Sequence, residues 1–132
     1  MRKRFFALAF VVLCVPGIIQ AQEAAGLKVD EIVFCTAVQD RTPSGADTAF
    51  ASIVENVYCF VNVSGAADTT AITHVWYYKD QEVGRVELAV RSAHWRTWST
   101  KKIPSDWQGT WRVDVLSPAG EVIKSGGFVV KP

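Results

Sequence analysis

Val83-Gly84-Arg85-Val86-Glu87-Leu88-Ala89-Val90-Arg91 alternates small or apolar residues with charged ones. Gly84, Val86, Leu88 and Val90 fall on one side of an extended chain, and Arg85, Glu87 and Arg91 on the other. A period of two residues marks a β-strand with one face on a core and one in water. The preceding segment, Thr70 to Tyr78, puts Ile72, His74, Trp76 and Tyr78 on one face, and Lys79-Asp80-Gln81-Glu82 supplies a hairpin turn between the two.

The same period recurs on both sides of that hairpin. Lys28 to Val38 reads as a first strand and Ser52 to Val63 as a second, the latter with Val57, Cys59, Val61 and Val63 on one face. Gln39 to Ala46, with Asp40, Pro43 and Gly45, reads as the loop between them. Downstream, Trp95 to Ile103 and Gly109 to Leu116 are strands, and the second turns Trp111, Val113 and Val115 inward. Ser117-Pro118-Ala119-Gly120 is a turn with proline second, and Val122 to Val130 closes the domain. No segment sustains a helical period, and nothing alternates strand with helix. The expectation is an all-β fold: an antiparallel, immunoglobulin-like β-sandwich of about seven strands over residues 28–132.

Residues 1–21 differ in kind from this domain. Arg2, Lys3 and Arg4 precede an uncharged apolar run from Phe5 to Gln20, and Ala21 is a small residue at its exit. This is the pattern of a secretory signal peptide, with an uncleaved anchor as the alternative and residues 22–27 as a linker. Cys14 belongs to the apolar run, because Leu13 stands where a lipoprotein signal carries a smaller residue. The leader holds three of the 14 basic residues and none of the 13 acidic ones, so the remainder is nearly neutral. That balance provides no global field toward nucleic acid or an anionic membrane. After cleavage no apolar segment approaches spanning length. The expected location is the periplasm or the medium.

Cys35 and Cys59 remain after cleavage. In an oxidising compartment an even pair reads as a disulfide, closing a loop of about 24 residues and contributing on the order of 3 kcal/mol. Two buried thiols are the alternative.

Three motifs stand out: Ile72-Thr73-His74-Val75-Trp76-Tyr77-Tyr78, Trp95-Arg96-Thr97-Trp98-Ser99-Thr100-Lys101 and Gly109-Thr110-Trp111-Arg112-Val113-Asp114-Val115. With the Gly120 turn and Phe128-Val129-Val130, they resemble a bacterial family of unknown function, DUF2914, over roughly Val33 to Val130. The resemblance implies an exported or membrane-tethered domain and transfers no catalytic residue.

Between Arg85 and Arg112 the chain concentrates arginine, lysine and tryptophan. Flat aromatic faces stack on sugar rings, and guanidinium groups clamp carboxylates. Trp95, Arg96, Trp98 and Lys101 are therefore candidate binding residues, with His74 and Trp76 as a second group. Trp95 and Trp98 have opposite parity, so a regular strand turns one of them outward. Solvated strand faces and core tryptophans are the plainer account of the same residues. His74 and His94 are the two histidines, and neither sits at a metal-ligand spacing, so no metal or cofactor is expected. The chain lacks a nucleophile elbow, a phosphate-binding glycine loop and a His-Glu-x-x-His motif.

The first expectation is an exported, non-catalytic envelope module that binds a glycan or another acidic polymer. It requires an exposed Trp/Arg surface. The alternative is a structural or protein-partner-binding accessory domain, with buried tryptophans and an uncovered, low-charge edge strand. A small hydrolase built around His74 or His94 ranks third.

Overall fold

The computed structural model describes residues 26–132. The leader, Cys14 and the linker up to residue 25 lie outside the described residues. The described residues comprise β1 (Lys28–Cys35), β2 (Ala37–Gln39), β3 (Thr42–Ser44), β4 (Ala49–Ala51), β5 (Asn56–Ser64), β6 (Thr70–Tyr78), β7 (Gln81–Val90), β8 (His94–Lys102), β9 (Gly109–Leu116) and β10 (Val122–Lys131). The small sheet has three strands in the order β1-β5-β8, and the large sheet five in the order β4-β10-β9-β6-β7. β2 and β3 form a separate hairpin. The two sheets pack into a sandwich, so the all-β expectation holds.

The rows facing the core follow the alternation in the sequence. In the large sheet Ile72, His74 and Trp76 stand beside Leu88, Val86 and Gly84 of β7, and His74 and Trp76 beside Val115 and Val113 of β9. In the small sheet Val57, Cys59, Val61 and Val63 pair with Lys101, Ser99, Thr97 and Trp95. Phe34, Trp76, Trp111 and Phe128 meet edge to face, tilted or stacked between the sheets, with ring centroids 4.8–6.5 Å apart. Aromatic rings of this size supply much of the buried apolar area, which stabilises the sandwich by roughly 25 cal/mol per Å² removed from water.

Turn chemistry sets the connections. Lys79 and Asp80 both take left-handed conformations, φ 46° and 64°, so β6 and β7 are joined by a two-residue primed turn tighter than the four-residue turn expected. Asp40 and Arg41 do the same at φ 49° and 55°, which folds the expected Gln39–Ala46 loop into the β2–β3 hairpin.

The strand expected from Ser52 is interrupted. β4 ends at Ala51, Glu55 adopts φ 66°, and β5 starts at Asn56. β4 pairs with β10 in parallel, which makes the large sheet mixed rather than purely antiparallel. Three-residue strands are too short to show a period, and this explains why the sequence suggests seven strands where the described residues form ten.

The expected disulfide is corrected by register. β1 and β5 do pair, but Phe34 lies opposite Cys59 and Cys35 opposite Tyr58. Residues one step apart on paired strands point to opposite faces. Cys59 therefore faces the core, while the Cys35 thiol lies on the outer face against the backbone of Ala37 and Ser44. Both are buried free thiols, and burial pushes both thiols up from their ordinary value.

Candidate functional site

The outer face of the small sheet carries an unusual set of side chains. Along β8 the outward row is His94, Arg96, Trp98, Thr100 and Lys102. Opposite them on β5 stand Ser64, Asn62, Phe60, Tyr58 and Asn56. Neither row contains a carboxylate. His94, Arg96, Thr100 and Lys102 are exposed and Trp98 is half-buried. Among the described residues, neither Arg96 nor Lys102 has a carboxylate partner. The acid on this face belongs to the third strand, where Glu31 of β1 stands beside Asn62, so the positive charge concentrates along the β8 edge, away from β1.

Trp98 gives this row a flat centre. Its ring lies almost parallel to that of Phe60, 15° apart in plane with centroids at 6.4 Å. Phe60 itself is buried. The β2–β3 hairpin covers part of the same face, with β2 against β5 and β3 against β1. Its tip reaches β8. The Arg41 carbonyl accepts a long 3.4 Å bond from Arg96, and the Arg41 guanidinium sits 4.8 Å from the Trp95 ring centroid. A cation over an indole face is a favourable electrostatic contact. Sequence reasoning missed Arg41 and Phe60. Arg41 sits in a turn with no periodicity, and Phe60 becomes relevant only through the register that sets it against Trp98.

The other candidate residues are placed elsewhere. Trp95 belongs to the inward row of β8, opposite Val63, and is half-buried at the sandwich edge. Lys101 also belongs to that row and donates to the Val83 carbonyl at 3.0 Å, tying β8 to β7 rather than facing a ligand. Trp111 is fully buried, and Trp107 stacks on Tyr78 at a centroid distance of 4.9 Å. None of the tryptophans is fully exposed, so the expected tryptophan surface shrinks to Trp98.

His74 and Trp76 are corrected from ligand contacts to core residues: both are 0% exposed. Trp76 donates its indole N–H to Ser99 Oγ at 3.1 Å, and His74 Nδ1 lies 2.6 Å from the same oxygen. His74 Nε2 is buried without a hydrogen-bond partner. Burial among apolar groups lowers the imidazole to a pKa of about 4, so it is neutral at neutral pH. A serine and a histidine in contact suggest nucleophilic chemistry, but Ser99 is only 5% exposed and faces the core. Among the described residues, no three His, Cys, Asp or Glu side chains gather as a metal site would need.

The outer face of the large sheet offers a contrast. Arg112 pairs with Asp80 at 2.7 Å and Asp114 at 3.1 Å, Arg85 pairs with Glu82 at 2.8 Å, and Ser125 donates to Asp114. Arg112 also sits 4.2 Å from the Tyr77 ring centroid. These charges neutralise one another within the sheet. Arg96 and Lys102 have no such partners.

Residues 69–130 match a family described as "Protein of unknown function (DUF2914)". No curated protein matches the sequence. Among solved structures, the chain is similar to part of a β-glucosidase from Listeria innocua in complex with glucose, at 12% identity over 80% of this chain and 16% of that one, TM-score 0.46. The same enzyme in complex with isofagomine matches at 12% identity, 79% and 16% coverage and TM-score 0.42. A Bacteroides fragilis protein described as a β-galactosidase matches at 20% identity over 58% of this chain and 14% of that one, TM-score 0.42.

Proposed function

We propose, for a chain whose residues 69–130 belong to the DUF2914 family, that the outer face of the small sheet binds an acidic glycan of the cell envelope without chemically altering it. The observation that carries this reading is the carboxylate-free pair of rows on β5 and β8, with Arg96 and Lys102 unpaired around the half-buried Trp98. Guanidinium and ammonium groups take up carboxylates along such a polymer, and the indole face packs against a sugar ring. A cleaved leader, as read from residues 1–21, delivers this face to the periplasm or the medium.

The test is titration of the protein with polygalacturonate, followed by tryptophan fluorescence, with a neutral glucan as control. Binding of the acidic polymer is expected, weakening steeply as salt screens the row. Arg96→Ala should remove most of it. Equal affinity for the neutral glucan, or no binding at low salt, overturns the proposal.

A second reading, an accessory domain that docks a protein, is favoured by one observation: Trp76 and Trp111 are sealed in the core. Against it, the edge strands β7 and β8 each carry three charged side chains, Glu82, Arg85 and Glu87 on one and Arg96, Lys101 and Lys102 on the other. Charge on an edge discourages strand pairing with another chain.

A further inference from the structure

We infer that the groove at the end of the β8 row is a subsite for the terminal unit of the same acidic glycan, an inference that rests on the binding reading above. Asn56 and Lys102 form the last rung of the two outward rows, and both line an open groove of about 670 Å³. The turn before β5, with Ser52, Ile53 and Glu55, lines it too, as does the loop after β8 with Ser105. The Glu55 carbonyl accepts the Ile103 N–H at 2.7 Å, joining these two segments.

Two features of this groove bear on binding. Ile53 is 83% exposed and contributes nothing to the core. Glu55 holds a left-handed backbone at φ 66°, a conformation that residues with a Cβ adopt at a cost and that gathers at binding sites. Ile53 and Glu55 both line the groove, and Lys102, the last cation of the β8 row, lines it with them.

That chemistry selects an end of the polymer over its middle. Lys102 takes the carboxylate of a sugar acid, and Ile53 offers an apolar surface to the C–H face of its ring. Ser52, Ser105 and Asn56 supply hydroxyl and amide partners. Glu55 repels a second sugar acid but accepts hydrogen bonds from hydroxyls, and a terminal unit has a hydroxyl that an interior unit spends on its linkage. The row from Arg96 to Lys102 then holds the following units.

The probe is a galacturonic acid hexamer titrated into isotope-labelled protein, with amide shifts read by NMR. The expected result is that amides of Ile53, Glu55 and Ser105 move together with those of Arg96 and Trp98. Ile53→Ala and Glu55→Gly should each weaken hexamer binding about 5- to 10-fold, corresponding to the loss of one good contact. Glu55→Gly also relieves the left-handed backbone, so it should fold at least as well as the parent. If Arg96 and Trp98 respond while the groove amides stay still, the groove is no subsite and the binding reading stands. If no amide moves, both fall.

Discussion

His74 Nδ1 and Ser99 Oγ meet at 2.6 Å across the interface between the two sheets, one residue from each. Ser99 Oγ already accepts the Trp76 indole N–H. Its own hydroxyl hydrogen is then free to point at His74 Nδ1, which must be the acceptor, with the ring proton on Nε2. The opposite tautomer would leave both the serine hydrogen and Nε2 without partners, whereas this one leaves a single buried N–H unpaired. The strand that carries the Arg96–Lys102 row is thus fixed to the large sheet through a neutral imidazole.

The domain should lose stability in mild acid because of this residue. The folded pKa of about 4 lies below the ordinary histidine value of 6.5. Protons therefore bind the unfolded chain first as the pH falls. The stabilising contribution is complete above 6.5, declines between 6.5 and about 4, and is gone below that. The loss amounts to on the order of 3 kcal/mol. Urea unfolding at a series of pH values should show this slope, and His74→Gln should flatten it while lowering stability at neutral pH. An unchanged slope in the variant would show that other groups cause it.

Alanine substitutions at three tryptophans should separate core from face. Trp111→Ala empties a fully buried site and should cost roughly 3–5 kcal/mol. Trp98→Ala removes a half-buried ring lying over Phe60 and should cost about 1–2 kcal/mol, while also weakening polygalacturonate binding. Trp95→Ala loses the Arg41 contact and some edge packing, and should affect stability more than binding. Thermal unfolding and fluorescence titration of the three variants read both effects. Equal loss of binding in all three would indicate that the effect follows from general unfolding.

The alternation of β6, β7 and β9 was legible because each of these strands is long and one-sided: Trp111, Val113 and Val115 face inward as their spacing implies. Parity also said that Trp95 and Trp98 face opposite ways, but it could not say which. That depends on pairing with β5, a long-range relation that local pattern does not contain. The same limit explains the cysteines. Their strands do pair, but a register shift of one residue decides whether two thiols meet or point apart. Arg41 was invisible for another reason: a left-handed two-residue turn carries it to Trp95 without any sequence signal. His74 stands out in the sequence as either a binding residue or a hydrogen-bonded structural one, and its burial and contact with Ser99 fit the second. A polar residue within an apolar row is ambiguous until the opposite sheet supplies Ser99.

Cys35 and Cys59 should resist both oxidation to each other and alkylation in the native protein. Both are fully buried, they face opposite sides of the small sheet, and burial disfavours the reactive thiolate of each. Iodoacetamide under non-reducing conditions should leave both unmodified in the native protein, and both should react once it is unfolded in urea. A missing reaction in urea that returns after reduction would reveal a disulfide and require a different register between β1 and β5.

Arg96 and Arg112 should respond to substitution in opposite ways. Arg112 is held by Asp80, Asp114 and the Tyr77 ring, so its charge is spent inside the large sheet. Arg112→Ala leaves Asp114, largely shielded from solvent, with Ser125 as its remaining side-chain partner, and should lower the melting temperature. It should leave polygalacturonate affinity within about twofold, since the altered charge is on the other sheet and screened beyond roughly 10 Å at moderate salt. Arg96 is exposed, and its one hydrogen bond is the long contact to the Arg41 carbonyl. Arg96→Ala should therefore change stability by less than about 0.5 kcal/mol while removing a central cation from the row. Melting curves and polymer titrations on the two variants provide the comparison. If Arg112→Ala weakens binding as much as Arg96→Ala does, the ligand does not lie on β8, and the self-neutralised face of the large sheet has to be reconsidered as its site.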